Sequence, residues 1–443
     1  MSKLIDKYNS PDSLIIVSLY PKKGEIYSVE TSGVASYTKN VVKNIDKKSV
    51  IFANYINKKQ EVYEEDHSLI LRCFKTNHPF MWINLLINIF KFNKIKKILV
   101  QFDFAIYGNV LTSSLILLFL GILRLFGYQS SIVIHHVITD INKLSGHVGL
   151  GNARTDKTKA ILFNIFFRCF YLILGFVANQ IIVLEETLKY KLKSIAPYSN
   201  VTAISHGVDT NLSSPLKSLA RKRLGIKKNE KIVLFFGFIN WFKGADFFVD
   251  VFNKKNNILD KKTRCIIAGG ISPTLKNKGY YQKYFAKVIS SISTSPKIEI
   301  TGCVPQRKIG YYFAAADVVV FPYRHFMTAS GVLSLVFSYK KPFIVSNELS
   351  EMFNAFDLQN ALQLSGLEQK DYIFKLNKQS LLVKLKKVLD NGVKKKMIRM
   401  AEIVREKRSY KNTALLYEQA IFNPNSYRLK DKLLFSYNKL YER

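Results

Sequence analysis

Apolar and polar positions along the chain follow two periods, one typical of buried strands and one typical of amphipathic helices. Largely apolar runs at 14–19, 98–102, 231–236 and 317–321 have the pattern of strands buried on both faces. The segment 34–45 instead repeats its apolar side chains at helical spacing. Because strands and helices alternate in this way, the pattern predicts an α/β fold with parallel sheets covered by helices.

The stretch 298–346 shows this alternation most completely. It predicts a strand ending at 302, a helix over 307–316, a strand over 317–321, a polar loop over 323–330, a helix from Ser330 to about 339 that Pro342 ends, and a strand over 343–346. Ligands of parallel sheets bind beyond the carboxyl ends of the strands, where this loop lies. Ser330 is a good N-cap, and Gly331 allows close approach to a ligand. The helix start therefore suits an anion such as a diphosphate, although an ordinary loop with a capping serine explains the same residues.

The chain is long enough for two domains. It has 443 residues, of which 48% are hydrophobic, so each half can bury a core of its own. A stretch rich in Ser, Lys and Arg at 210–231 separates two halves with the same strand and helix pattern. We expect a first domain over 1–210, a second over 211–408 and a terminal helical segment over 409–443.

The net charge of +35 predicts an anionic partner. No zinc finger, RNP-like motif or arginine-rich tail accompanies it, so we expect no nucleic acid. The seven histidines show no metal-ligand spacing, and we predict no metal site. The four cysteines are far apart in the sequence and the start of the chain is polar, which indicates a reducing compartment and no signal peptide: Cys73, Cys169, Cys265 and Cys303.

Two apolar helices, at 110–125 and 160–178, are interrupted by polar residues. Lysines flank them at 91–97, 157–159 and 189–193. An apolar face with flanking lysines is typical of a helix that lies in a membrane interface. We expect a cytoplasmic protein, bound peripherally at the inner face of the cell membrane through its first domain without a spanning helix. The alternative is that both helices only cover the sheet and that the lysines reflect composition.

Four motifs, taken in order, resemble those of glycosyltransferases with the GT-B fold, and family GT4 most closely. They are SGVASYTKN at 32–40, HGVD at 206–209, GFINWFKG at 237–244 and AAADVVVFPY at 314–323. The resemblance covers nearly the whole chain. It implies two doubly wound Rossmann-like domains that face a central cleft, with the acceptor on the first and the nucleotide sugar on the second. It also implies that the terminal segment crosses back to the first domain.

The resemblance also implies roles for individual residues. Gly33 matches the loop glycine beside the donor diphosphate, His135 matches a histidine near the transferred sugar, and Lys243 matches the lysine that pairs with the diphosphate. The helix start whose amides hold the phosphates matches Ser330, Gly331 and Val332. Further donor or acceptor contacts are expected at His206, Asn240, Arg324 and Thr328.

The residues themselves also allow plainer interpretations of these positions. Lys243 is also explained as an ordinary solvated loop lysine, and His135 as a buried histidine with its hydrogen bonds satisfied. His136 is chemically equivalent to His135, and His206 suits a loop hydrogen bond.

The chain departs from the family at three positions. The family's two glutamates fall on Met327 and Leu335, and its arginine falls on Phe238. The resemblance implies a retaining, metal-independent hexosyltransferase without a cofactor, which moves a sugar from a nucleotide sugar to a glycan or lipid-linked acceptor in polysaccharide or glycolipid synthesis. The departures motivate an alternative, a catalytically inactive GT-B protein that acts as a sugar-binding or partner subunit.

Overall fold

The computed structural model describes residues 2–27, 31–56, 59–151, 153–253, 262–293, 297–389 and 392–424. The first sheet is built from β1 (Leu14–Ser18), β2 (Ser49–Asn54), β3 (Glu61–Glu65), β4 (Ser68–Phe74), β5 (Lys97–Phe102), β6 (Gln129–Ile134), β7 (Gln180–Val183) and β8 (Val201–Ala203). These strands lie in the order β3-β4-β2-β1-β5-β6-β7-β8, and among the eight described strands β3 and β4 are the antiparallel pair.

The second sheet is entirely parallel. It contains β9 (Lys231–Phe236), β10 (Thr263–Ala268), β11 (Ile298–Ile300), β12 (Val318–Phe321), β13 (Phe343–Ser346) and β14 (Ile373–Phe374). Their order is β11-β10-β9-β12-β13-β14. Parallel sheets need helical crossovers, and both sheets are covered by helices as the sequence predicts.

The helices before β9 are α1 (Ser2–Tyr8), α2 (Gly33–Val42), α3 (Met81–Phe90), α4 (Val110–Ser114), α5 (Ile116–Leu125), α6 (Ser145–Val148), α7 (Arg154–Val177), α8 (Glu186–Ile195) and α9 (Lys217–Arg223). Those after β9 are α10 (Ala245–Phe252), α11 (Gly279–Ser293), α12 (Gln306–Ala315), α13 (Gly331–Ser338), α14 (Asn347–Ser350), α15 (Phe356–Ser365), α16 (Gln369–Tyr372), α17 (Lys378–Leu389), α18 (Lys394–Lys407) and α19 (Tyr410–Phe422). Short 3-10 helices occupy Ile141–Leu144 and Glu351–Asn354.

Strand β1 shows why the first sheet is apolar on both faces. All five of its residues are buried, and successive side chains point to opposite sides. Leu14 and Ile16 belong to the core beneath α2 and α19, whereas Ile15 and Val17 belong to the core beneath α3, α5 and α7. The largely apolar run at 14–19 is therefore the signature of a central strand.

Each sheet has one point where its strand order reverses. In the first sheet β1 lies between β2 and β5, and in the second β9 lies between β10 and β12. Helices leave towards opposite faces at such a point, so the loops after the two central strands open a crevice. The two crevices face each other, because Val137 in the first domain donates its N–H to the Met327 carbonyl in the second at 2.9 Å.

The last described helix, α19, packs on α2 of the first domain. The Tyr37 and Tyr417 hydroxyls are 2.9 Å apart, and the Asp46 N–H donates to Glu418 Oε1 at 2.7 Å. Of the predicted terminal segment 409–443, residues 425–443 lie outside the described part of the chain.

Helix α7 is longer than the apolar pattern predicts. It begins at Arg154, before the expected start at 160. The apolar pattern misses these first turns because they are polar and mostly exposed. Its 24 residues have a mean hydropathy of 2.1 in the most apolar window, so by length and composition it could cross a membrane. Of that window, 28% is buried inside the domain. Peripheral binding without a spanning helix stays a prediction.

Candidate functional site

The loop after β9 places Lys243 in the crevice of the second sheet. A Cβ atom built on Gly237 would lie 3.0 Å from Lys243 Nζ and 3.3 Å from Val332 Cγ2. The ammonium group therefore lies against the end of β9 and beside the first turn of α13. Sequence analysis predicts this association of Lys243, Gly331 and Val332 only through the family resemblance.

Two glycines and one asparagine shape this loop. Gly237 has φ +107° and Gly244 has φ +72°, both in the left-handed region that favours glycine. A Cβ on Gly244 would lie 2.0 Å from the Pro322 carbonyl oxygen, so the two loops approach each other here too closely for a side chain. Buried Asn240 accepts the Lys243 N–H at 3.0 Å through Oδ1 and so fixes the turn that carries the lysine. Asn240 thus has a structural role.

Lys243 is electrostatically unusual. Desolvation lowers the pKa of its ammonium to about 8. No carboxylate among the described residues forms an ion pair with it, and its Nζ lies 5.8 Å from the centre of the Phe238 ring. An ammonium group that lacks a counter-ion in a partly desolvated crevice is a site for an anion.

The N-terminus of α13 lies next to this ammonium. Ser330 caps the helix by accepting the Leu333 N–H at 3.2 Å, and its Oγ is also 3.2 Å from the Tyr323 hydroxyl. Gly331 is exposed, and a Cβ there would lie 3.6 Å from His206 Nε2. The first amides of the helix have no partner within the helix and add a partial positive charge beside Lys243.

His206 reaches the same place from the first domain. Its Nδ1 lies 2.8 Å from the Gly207 carbonyl oxygen, so it makes the loop hydrogen bond that the sequence suggests. Burial lowers the pKa of His206 to about 4, which keeps the ring neutral at physiological pH. Its Nε2 faces the start of α13.

Gly33 begins α2, with Ser32 as its N-cap. The Ser32 side chain accepts the Ala35 N–H at 3.2 Å. Gly33 is exposed, and a Cβ on it would meet no atom within 4 Å among the residues that the structure describes. The crevice of the first sheet thus has its own open helix N-terminus.

His135 is buried behind this surface. Its Nε2 lies 2.7 Å from Gln101 Oε1, and the ring contacts Tyr37 edge-on at 5.3 Å between centroids. Burial lowers the pKa of His135 to about 3, so the imidazole is neutral and acts as a hydrogen-bonding group. This matches the plainer of the two interpretations that the sequence allows.

The neighbouring histidine carries charge more readily. His136 Nδ1 lies 2.7 Å from Asp103 Oδ2, at the ends of β6 and β5. Burial acts to lower the pKa of His136, but the Asp103 carboxylate and its contact with the ring outweigh burial and raise it. The pKa of Asp103 is lowered to about 2: burial opposes the shift, and His136 together with the Ala105 N–H outweighs burial. Sequence reasoning missed Asp103, whose only signal is its position directly after a buried strand.

Two further residues that are expected to contact donor or acceptor, Arg324 and Thr328, already form hydrogen bonds within the protein. Arg324 makes two hydrogen bonds with Asp246, of 2.7 and 2.8 Å, and a third with the Trp241 carbonyl. Thr328 donates its hydroxyl to the Ala329 carbonyl at 3.2 Å. The two positions where the family has glutamates, Met327 and Leu335, are buried apolar side chains. The structure therefore offers no carboxylate at either position.

Over the described ranges, no group of three or more His, Cys, Asp or Glu side chains could hold a metal ion. The prediction that the reaction needs no metal stays a prediction.

Comparisons with known proteins agree on a common class. Residues 217–351 match the family model of glycosyl transferases group 1. An uncharacterized glycosyltransferase of Methanocaldococcus jannaschii is 27% identical over 151 residues, which is 32% of this chain and 36% of that protein. The match thus spans about a third of this relative.

Solved structures share the whole architecture. Sucrose-phosphate synthase from Thermosynechococcus elongatus superposes with a TM-score of 0.66 at 14% identity, over 96% of this chain and 100% of that one. Anabaena HepE in complex with UDP-glucose superposes with a TM-score of 0.62 at 13% identity, over 92% and 98%. The predicted GT-B fold is confirmed, and the family match with this fold supports a glycosyltransferase similar to those of group 1.

Proposed function

We propose that this chain is a retaining, GT4-like glycosyltransferase that moves a sugar from a nucleoside diphosphate sugar to a glycan or lipid-linked acceptor. The observation that carries the proposal is the position of Lys243, an ammonium without a carboxylate partner among the described residues, beside the open N-terminus of α13. Both features bind phosphate, and they lie together at the reversal point of the second sheet.

The chemistry follows from where charge develops. As the glycosidic bond of the donor breaks, the departing diphosphate gains negative charge. Lys243 and the first amides of α13 are positioned to stabilise that charge as it forms. With retention, the departing phosphate takes the acceptor proton on the same face, so no strong side-chain base is needed. The neutral, buried His135 is suited to hydrogen bonding in such a mechanism.

The first donors to try are uridine diphosphate sugars, because the structural neighbour HepE was solved with UDP-glucose. We place the acceptor on the first domain, which carries the Asp103–His136 pair at the ends of β5 and β6, and we keep Gly33 with the donor diphosphate. Synthesis of a surface polysaccharide or glycolipid at the cytoplasmic face of the membrane would use such an acceptor.

The test is donor binding by calorimetry and by thermal shift with a panel of nucleotide sugars. A true donor at about 100 times its Kd stabilises the protein by about 2.7 kcal/mol. Lys243→Met removes the ammonium and is expected to weaken donor binding about a hundredfold.

Lys341→Met is the matched control for this substitution. Burial also lowers the pKa of Lys341 to about 8, but its Nζ donates to the Ala314 carbonyl at 3.2 Å. Donor affinity equal in Lys243→Met and the parent protein would contradict the proposal. Donor binding without hydrolysis or transfer to any acceptor would support the alternative, an inactive sugar-binding subunit.

A further inference from the structure

Three helices of the first domain expose large apolar side chains on their outer sides. In α3 these are Ile83 and Ile87, in α5 Leu118 and Leu125, and in α7 Ile165 and Phe176. Leu125 is 86% exposed and Phe176 71%. We call this surface the apolar face. Apolar side chains this exposed on soluble monomers are normally scattered singly, so a grouped set marks an interaction site.

The apolar face is continuous across the three helices. The Phe90 ring at the end of α3 lies 5.0 Å from the Phe126 ring that follows α5. Helices α5 and α7 approach closely at Gly121, where a Cβ would lie 4.0 Å from Val177 Cγ1. The Arg124 guanidinium also donates to the Phe176 carbonyl. The exposed side chains thus form one surface rather than three separate stripes.

The charges around the apolar face are almost all of one sign. Helices α3, α4, α5 and α7 contain a single acidic residue, Asp156, in the first turn of α7. Exposed basic residues lie on these helices or directly after them: Lys91, Lys94, Arg124, Lys157, Lys159 and Arg168. An apolar surface rimmed by cations complements the anionic headgroups and acyl chains of a phospholipid surface.

The inner side of α7 determines how the helix can meet lipid. Phe170 stacks on Phe102 at 5.5 Å, and the Tyr171 hydroxyl accepts the Ile138 N–H at 3.0 Å. Phe167, Phe170, Tyr171 and Leu174 are buried in the core of the first domain. A spanning orientation would remove these side chains from the sheet. The helix can present its outer side to lipid only while it lies along the domain surface.

We propose that the apolar face is the docking surface for an anionic phospholipid bilayer, into which α3, α5 and α7 insert side chains parallel to the membrane plane. Docking would bring the acceptor side of the cleft to a lipid-linked acceptor, and its biological meaning therefore rests on the proposed function. Docking itself requires no donor and is measured separately from transfer.

The test is sedimentation of the full chain with vesicles of phosphatidylcholine, with and without phosphatidylglycerol. We expect binding only to the vesicles that contain phosphatidylglycerol and a progressive loss of binding as salt is added. The variant Leu125→Gln/Phe176→Gln removes two highly exposed apolar side chains without touching the core. It is expected to bind such vesicles at least about tenfold more weakly.

The matched control is Leu216→Gln/Leu364→Gln. These leucines are 76% and 61% exposed, and they lie on the second domain, away from the apolar face. The control variant is expected to bind vesicles like the parent protein. Equal losses of binding in both variants, or in neither, would overturn the proposal.

Cys169 provides a direct reporter of insertion. It is exposed on α7, whereas Cys73 and Cys265 are buried, so a Cys303→Ser background directs an environment-sensitive fluorophore to Cys169. The fluorophore emission is expected to shift to shorter wavelength with anionic vesicles, and high salt is expected to release the protein. Resistance to salt and alkaline extraction would indicate a spanning helix and overturn the in-plane geometry.

Two other occupants of the apolar face give distinct results. If the face binds a second copy of the chain, analytical ultracentrifugation shows a dimer that Leu125→Gln/Phe176→Gln dissociates, and vesicles do not bind. If the basic rim instead binds nucleic acid, the parent protein and the glutamine variant bind duplex DNA equally well, and vesicles do not bind. Either result rejects the proposal, while donor binding without vesicles still decides the proposed function.

Discussion

The lowered pKa of a single residue, Lys243, makes donor binding depend on pH. Desolvation lowers its pKa to about 8, so the free protein loses this positive charge as pH rises through that value. Only the protonated form attracts a diphosphate. We therefore expect donor affinity to be constant well below pH about 8 and to fall by up to about tenfold for each further pH unit. Calorimetry across this range, with Lys243→Met as a control that lacks the decline, measures the effect. An affinity that stays flat through pH about 9 would contradict it.

Gly237 has a second residue-scale consequence. A methyl group there would press on Lys243 Nζ and Val332, and φ +107° disfavours any side chain. Gly237→Ala is expected to lower stability by about 1–3 kcal/mol and to displace the ammonium, which weakens donor binding.

Gly225→Ala is the matched control for the backbone cost. Gly225 has φ +64°, and a Cβ there meets nothing within 4 Å of the described residues. Both variants should unfold at lower urea concentration, but only Gly237→Ala should bind the donor less tightly. Equal donor affinities in the two variants would show that the contact with Lys243 is irrelevant.

How far the sequence predicts the site depends on the origin of each contact. Lys243, Ser330 and Gly331 lie in continuous motifs, so their positions are predicted from local pattern together with the resemblance. The Asp103–His136 pair forms because β5 and β6 are neighbours in the sheet, and strand order cannot be read from either residue. Arg324 is drawn to Asp246, a tertiary partner with no sequence signal.

At the scale of elements, helix α13 links stability to binding through its N-cap. Ser330→Ala removes the side-chain acceptor of the Leu333 N–H and the partner of the Tyr323 hydroxyl. We expect a loss of about 1 kcal/mol in stability, measured by urea unfolding, and weaker donor binding because the first turn frays. Ser409→Ala is the matched control, since Ser409 caps α19 by accepting the Asn412 N–H at 3.3 Å. If Ser409→Ala weakened donor binding as much as Ser330→Ala does, the N-terminus of α13 would have no special role in binding the donor.

The elements that sequence analysis assigns correctly are those with uninterrupted apolar runs. Strand β13 begins and ends where predicted, and β9 does as well. Sequence analysis assigns no strand to β4, whose run contains Arg72. That guanidinium is buried because the carbonyls of Tyr20, Pro21 and Asn54 accept its N–H groups. A buried charge satisfied by distant backbone cannot be recognised from local pattern.

At the scale of the whole molecule, the loop before α13 helps to hold the two domains together. Met327, at the first family glutamate position, gives its carbonyl to the Val137 N–H. Lys191 of the first domain bonds the Phe326 carbonyl at 3.1 Å and Glu351 at 2.8 Å. The loop before α13 is therefore also a domain contact, so its geometry depends on how the domains close.

Arg408, between α18 and α19, joins the first domain to the second. Its buried guanidinium donates to Glu185 at the end of β7, at 2.7 Å, and to both oxygens of Asp357 in α15, at 2.6 and 2.7 Å. Burial acts to raise the pKa of Asp357, but Arg408 outweighs it and lowers that pKa. The stabilisation from Asp357 is therefore present above its unfolded-state pKa and is lost as pH falls through the lower folded value.

Arg408→Met should consequently cost more at higher pH. Burial raises the pKa of Glu185 to about 7 even beside Arg408, so without the guanidinium Glu185 takes up a proton and Asp357 is the main uncompensated charge. We expect a loss of about 3–5 kcal/mol at neutral pH. Lowering the pH towards about 5 lets Asp357 take up a proton as well in the variant, so the difference from the parent protein should shrink. Urea unfolding of both proteins at the two pH values measures this. The triple variant that adds Glu185→Gln and Asp357→Asn, which removes both charges, should recover part of the stability and lose the pH dependence. If Arg408→Met loses the same stability at both pH values, the guanidinium stabilises the contact between the domains through packing and not through its charge.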